Sequence, residues 1–141
     1  MIRPLAAADR SGWGVLWQGY LKHYRESLPV ATTERTFARL CDGGELFGFV
    51  AEQDGELVGI VHALTHASTW STATYCYLED LYVDPGTRGS DVARQLIEAV
   101  AAEASRRGSE KVYWHTQEYN GPARSLYDQV ANRTSFIVYE R

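Results

Sequence analysis

The stretch from Leu78 to Ile97, LEDLYVDPGTRGSDVARQLI, constrains the fold more than any other part of the chain. A strand-like run stops at Asp84-Pro85-Gly86. A short Arg-Gly loop follows and opens directly into a helix whose apolar face is Val92, Ala93, Leu96, Ile97, Val100, Ala101 and Ala104. Another strand-like run, Lys111 to Thr116, comes next, so this half of the chain is expected to be a β-α-β crossover. The first turn of the helix carries unsatisfied N–H groups and a partial positive charge. A glycine-containing loop lets those donors approach an anion closely, and Arg88 or Arg94 can add a charge-assisted contact to phosphate oxygens. The chemistry expected is diphosphate binding. It is not a Walker loop, because Gly-Lys-Ser/Thr is absent, and the three-glycine dinucleotide spacing also fails.

The first half reads differently. Ile2 to Leu5 is short and apolar, and Asp9 can cap a helix carrying Trp13, Leu16, Trp17, Tyr20, Leu21 and Tyr24 at three-four spacing. Pro29 ends that region. Thr32 or Thr33 can cap a second helix with Phe37, Leu40 and Cys41, stopped by Asp42-Gly43-Gly44. Leu46 to Gln53 and Leu57 to Leu64, or on to His66, form a hairpin about Asp54-Gly55, and Thr74 to Val83 is a third strand. After the long helix, from about Ser90 to Arg107, Gly108 suits a left-handed stop. Asn120 caps a shorter helix with Ala123, Leu126, Tyr127 and Val130 inward, and Ser135 to Tyr139 is expected as a final strand. The order β-α-α-β-β-β-α-β-α-β predicts one α/β domain over residues 1–141, a mixed-sheet sandwich.

Several classes are disfavoured. The N-terminus has no apolar stretch typical of a signal peptide, and no run approaches the ~18 apolar residues of a membrane span. Two cysteines, Cys41 and Cys76, are too few for a disulfide framework and read as free thiols in a reducing compartment. A cytoplasmic protein without a membrane partner is expected. The net charge of −4 argues against a nucleic-acid partner, which requires a basic face. No metal-ligand spacing is found, so no metal is expected.

Arg88, Gly89, Ser90, Asp91, Val92 and Ala93 resemble motif A of the GNAT superfamily of acyl-CoA N-acyltransferases at five of six positions. Asp91 stands where that pattern has glycine. The run Tyr77 to Val83 resembles the preceding strand of spermidine/spermine acetyltransferases. Asn120, Ala123, Leu126 and Tyr127 match the later Asn-x-x-Ala-x-x-Leu-Tyr element. The N-terminal IRPL, the aromatic helix after it and the terminal Phe136 to Tyr139 are similar to the fungal histone/polyamine subgroup. The resemblance implies a GNAT-like domain: a mostly antiparallel mixed sheet with helices on both faces and a β-α-β acyl-CoA-binding core. It implies acetyl-CoA as cosubstrate, held by Arg88 to Arg94, by Asn120, Arg124 and Tyr127, and by the backbones of Leu81, Tyr82 and Val83 where the strand bulges and splays from its neighbour. A homodimer is also implied. The short C-terminal strand leaves a sheet edge that a partner chain could cover.

Acetylating an alkyl amine requires a base, because the amine is mostly protonated at pH 7. Glu79, a carboxylate among apolar and aromatic strand residues, is expected to be at least partly buried, with its pKa raised toward neutrality. A salt-bridged or solvent-facing strand carboxylate is the other reading. Asp80 could instead be the base or hold a cationic acceptor. The resemblance makes Glu79 the base and Tyr127 the acid that protonates the leaving thiolate. Asp91 is expected to turn to solvent. Tyr24 could border the acceptor site, His115 is a back-up base, and His62 and His66 read as structural. The implied acceptor is a small amine: a polyamine, a diamine or an amino-acid-like compound. A protein lysine, or a non-catalytic acyl-CoA-binding role, are the alternatives.

Overall fold

Trp13, Leu16, Trp17 and Leu21 recur at helical spacing and are all buried, and they draw helix α1 (Arg10–His23) onto the sheet. Beside it, α2 (Val30–Cys41) buries Phe37 and Leu40. The computed structural model describes residues 1–87 and 91–141. Five strands make one sheet in sequence order: β1 (Ile2–Pro4), β2 (Leu46–Gln53), β3 (Glu56–Ala67), β4 (Thr74–Val83) and β5 (Ser109–Tyr113). All neighbours are antiparallel except β4 and β5, which are parallel and joined through α3 (Val92–Arg106). The expected β-α-β crossover is present. A last helix, α4 (Gly121–Val130), follows.

Two apolar cores lie on opposite faces of the sheet. Strand residues alternate between them, Val50 and Ile60 facing α1 and α2 while Ala51 and Val61 face α3. On the second face α3 buries Val92, Leu96, Ile97, Val100 and Ala104. Gly59 permits the close approach of this helix, since a Cβ there would lie 3.0 Å from Val92 Cγ1 and 3.1 Å from Leu96 Cδ1. The β2–β3 hairpin turns at Asp54 and Gly55, both at positive φ, as their pairing predicts.

Three expectations are corrected. Asp9 does not cap α1. Its carboxylate accepts 2.8 Å bonds from both Arg3 guanidinium nitrogens and from the Ala6 amide, so it clamps β1 to the turn before the helix. Thr32 and Thr33 do not start α2, which begins at Val30 directly after Pro29. Thr33 is buried within the helix and accepts a 3.3 Å bond from Trp17 Nε1. Ser135 to Tyr139 form no strand. Local β-propensity is high there, but among the described residues the segment pairs with no strand, and every residue from 131 to 141 is exposed.

Candidate active site

A β-bulge and a splay build the site on β4. His62 pairs with Asp80 and Ala63 with Leu78, which leaves Glu79 as the extra residue. A bulge of this kind re-aims its side chain. On the other edge of β4, pairing with β5 runs from Thr74 to Tyr77 and stops. From Leu78 to Val83 that edge has no strand partner among the described residues. The gap is a cleft of about 440 Å³, bounded by Leu81, Tyr82 and Val83 on one side and Trp114, Asn120 and Tyr127 on the other. Ala93, in the first turn of α3, lines one end.

A second cleft of about 270 Å³ lies between β3, β4 and α2. Arg39, Thr36, Leu28 and Trp17 face Glu79 and Asp80 across it. Among the described residues, Glu79 is the only one that lines both clefts. It is exposed, contrary to the expected burial, because the bulge turns it out of the strand's packed face. Enough protein still surrounds the carboxyl to push its pKa above the ordinary range. Desolvation contributes most and the Asp80 charge next, while His62 and Arg39 pull the other way.

Asp80 is held from beneath. Trp13 Nε1, which can only donate, gives a 2.9 Å bond to His62 Nε2. The His62 proton therefore sits on Nδ1, 2.9 Å from Asp80 Oδ2, and donates to it. Trp13 is fully buried and His62 nearly so. Tyr20 lies beside Asp80, and burial followed by the Asp80 charge drives its phenol pKa well up. The structural reading of His62 thus gains a second part, as it orients a carboxylate of the site. A four-residue His spacing on a strand gave no hint of that, because the partners Trp13 and Asp80 come from other elements.

Tyr127 is half-buried, its ring 5.4 Å from that of Trp114. Burial, and secondarily Tyr24, raise its pKa, so the phenol keeps its proton at neutral pH. Tyr24 lines the same cleft. Asn120 caps α4, its Oδ1 accepting from the Ala123 amide at 3.3 Å. Arg124 is engaged with the Glu118 carbonyl at 2.6 Å. At the other end of the cleft, Asp91 stands at the N-cap position of α3 without a side-chain capping bond, its side chain three-quarters exposed, as expected. Arg94 donates a 2.6 Å bond to Gln129 of α4. Arg88, Gly89 and Ser90 lie outside the described residues. His115 is exposed and bonded to the Tyr77 hydroxyl at 3.3 Å, at the cleft's rim. The spacing-based reading missed Arg39, since a lone arginine on a polar helix face carries no signal until β4 is seen opposite it.

The sequence model of the Acetyltransferase (GNAT) family matches residues 16–131. D-amino-acid N-acetyltransferase HPA3 of Saccharomyces cerevisiae is 33% identical over 144 aligned positions, covering all of this chain and 89% of the relative. Thialysine N-epsilon-acetyltransferase of Caenorhabditis elegans is 30% identical over 101 residues, 72% of this chain and 62% of the relative. Aminoglycoside acetyltransferase AAC(6')-Iy, solved with a bisubstrate analogue of coenzyme A, superposes with a TM-score of 0.87 at 20% identity, covering 100% of this chain and 96% of that one. The fold is shared with it.

Proposed function

Since the chain belongs to the acetyltransferase (GNAT) family and is an N-acetyltransferase, we propose that it transfers acetyl from acetyl-CoA to the primary amine of a small amino-acid-like acceptor, by direct attack in a ternary complex. The position of Glu79 in the wall shared by both clefts carries this reading.

The larger cleft fits the coenzyme. It has the unpaired β4 edge for a pantetheine arm to lie along and the opening turn of α3 at one end for phosphates. Leu81, Tyr82, Val83, Asp91, Val92, Ala93, Arg94, Asn120 and Arg124 would hold it, together with Arg88, Gly89 and Ser90. When bound, it supplies the activated acetyl group. An N–H on the open edge aimed at the developing oxyanion can be worth about 3 kcal/mol. Glu79 takes a proton from the acceptor ammonium, directly or through water, and the free amine attacks the thioester carbonyl. As the C–N bond forms and the C–S bond breaks, the thiolate takes the Tyr127 hydroxyl proton. The attacking nitrogen gives up its second proton, which returns the Tyr127 phenolate to a phenol through water, and Glu79 releases its proton to solvent, so atoms and charges balance without a covalent enzyme intermediate.

The smaller cleft supports the choice of acceptor. Asp80, fixed by His62, offers a negative charge for an ammonium. Arg39, which has no ion pair among the described residues, offers a positive charge across from it. A polyamine has no use for that arginine, whereas a zwitterionic amino acid does. The HPA3 relative, whose name gives D-amino acids as its substrates, accords with this choice.

Steady-state turnover across amino acids of both hands, their decarboxylated amines, polyamines and a lysine peptide tests it. Amino acids should be preferred, and Arg39→Ala should raise their KM by about tenfold or more while leaving the decarboxylated amines unaffected, as expected for one lost charged hydrogen bond. A preference for polyamines or the peptide would overturn the acceptor class. Coenzyme binding with a wholly inert panel would overturn catalysis.

A further inference from the structure

A base that takes a proton must lose it again before the next turnover. Glu79 lines two clefts, and a bound coenzyme and a bound acceptor would fill both. Substrates in place shut bulk water out of a site. A side-chain path out of the wall would let the proton leave while the clefts are occupied.

Such a path starts two residues earlier on β4. Tyr77 pairs with Leu64 of β3, and residues directly opposite one another share a face of the sheet. Leu64 lines the smaller cleft together with Glu79, so Tyr77 stands on the face where that cleft opens. Burial does most to raise the Tyr77 phenol pKa, and the Glu79 charge comes next, ahead of Asp80 and Tyr113. The hydroxyl therefore keeps its proton and feels the Glu79 carboxylate. The same hydroxyl lies 3.3 Å from Nδ1 of His115, and the two rings are 5.3 Å apart. His115 is exposed at the rim of the larger cleft, and its Nε2 has no partner among the described residues. Imidazole is the side chain best suited to exchange protons with water near neutral pH.

The neighbouring tyrosine and histidine offer no such exit. The Tyr113 hydroxyl lies 2.8 Å from Nε2 of His66, but Nδ1 of His66 must donate to the Ala67 carbonyl at 2.7 Å, since a carbonyl only accepts. Both nitrogens of His66 are committed.

Resting on the reading of Glu79 as the base, we propose that Tyr77 and His115 carry the acceptor's proton from Glu79 to solvent. The protonated carboxyl gives its proton to the Tyr77 oxygen, directly or through one water, as the Tyr77 O–H bond breaks and that proton bonds to Nδ1 of His115. The imidazolium then releases its Nε2 proton to water. Glu79 is again a carboxylate and Tyr77 a phenol. Exchange with water moves the remaining ring proton from Nδ1 to Nε2, which restores the acceptor nitrogen. Both residues act through Glu79 and not on the substrates.

The blocked step follows chemistry, so in weakly buffered neutral solution His115→Ala should lower kcat about tenfold and leave kcat/KM for the acceptor unchanged. Its single-turnover rate should match the parent's, because Glu79 begins as a carboxylate, and that match also shows the variant folded. Added imidazole should restore kcat in His115→Ala. Tyr77→Phe should show the same kcat loss without the rescue. An unchanged kcat in His115→Ala, a kcat that imidazole does not restore, or a single-turnover rate that falls with kcat would each overturn the relay. Glu79→Gln separates the two readings. If it keeps the parent's single-turnover rate, the base assignment fails and the relay with it; if that rate falls while His115→Ala behaves as the parent, the relay alone is wrong.

Discussion

The two sides of Glu79 are built to different standards. Toward the smaller cleft, Asp80 is fixed through His62 to the fully buried Trp13, by two 2.9 Å bonds inside a packed core. Toward the larger cleft, Tyr127 sits on α4, where nothing is fully buried and the caps are a 3.3 Å Asn120 bond and an arginine gripping a loop carbonyl. The groups proposed to recognise the acceptor are preorganised by the fold. Tyr127, proposed to meet the leaving thiolate, depends on whatever else anchors its helix. A site can therefore be rigid where discrimination is needed and adjustable where a long cosubstrate must enter and leave.

The chemistry should break most sharply at the shared wall. Glu79→Gln is expected to lower kcat/KM by about 10³ with little change in melting temperature, and Tyr127→Phe to lower kcat by about 10². With Glu79 proposed as the base and its pKa raised, activity should fall as pH drops through that value. This acid limb should lie above the range of an ordinary glutamate and vanish in Glu79→Gln. An identical pH profile in that variant would move the base to Asp80 or His115.

The contrast in rigidity has its own test. His62→Leu strands the Trp13 N–H and removes the Asp80 donor, and should cost about 1–3 kcal/mol in chemical denaturation. Leu126→Ala, on half-buried α4, should cost less. Equal losses would show the two sides to be equally anchored.

The smallest effect is expected at Asp91. It stands at the N-cap position of α3 without a side-chain capping bond, and its exposed carboxylate lies 4.0 Å from Arg94. Asp91→Gly should improve coenzyme affinity by only a few-fold in calorimetry, because an exposed charge is well screened. A gain of a hundredfold would mean that Asp91 faces the phosphates directly.

Much of this was legible beforehand. The Asp54-Gly55 turn, the α3 stripe and the β4-α3-β5 crossover are local patterns, and local patterns survive folding when one face is buried. Glu79 and Tyr127 could be singled out because their motifs are contiguous. Misjudgements came where a residue's partner is distant in sequence. Asp9 looked like a cap until Arg3 took it, and Thr33 until it sank beneath Trp17. Phe136 to Tyr139 read as a strand because propensity says nothing about whether a neighbouring strand exists.

The sequence by itself determined the one-domain α/β order, the strand-to-helix junction and the residue types the chemistry needs, since each is written in periodicities a few residues long. Only the tertiary structure decided that Glu79 stands between two clefts, that Trp13 sets the tautomer beneath Asp80, and that Arg39 faces both carboxylates. Those relations depend on strand register and on a bulge. A one-residue change in pairing reverses the face a side chain occupies, and no local pattern records it.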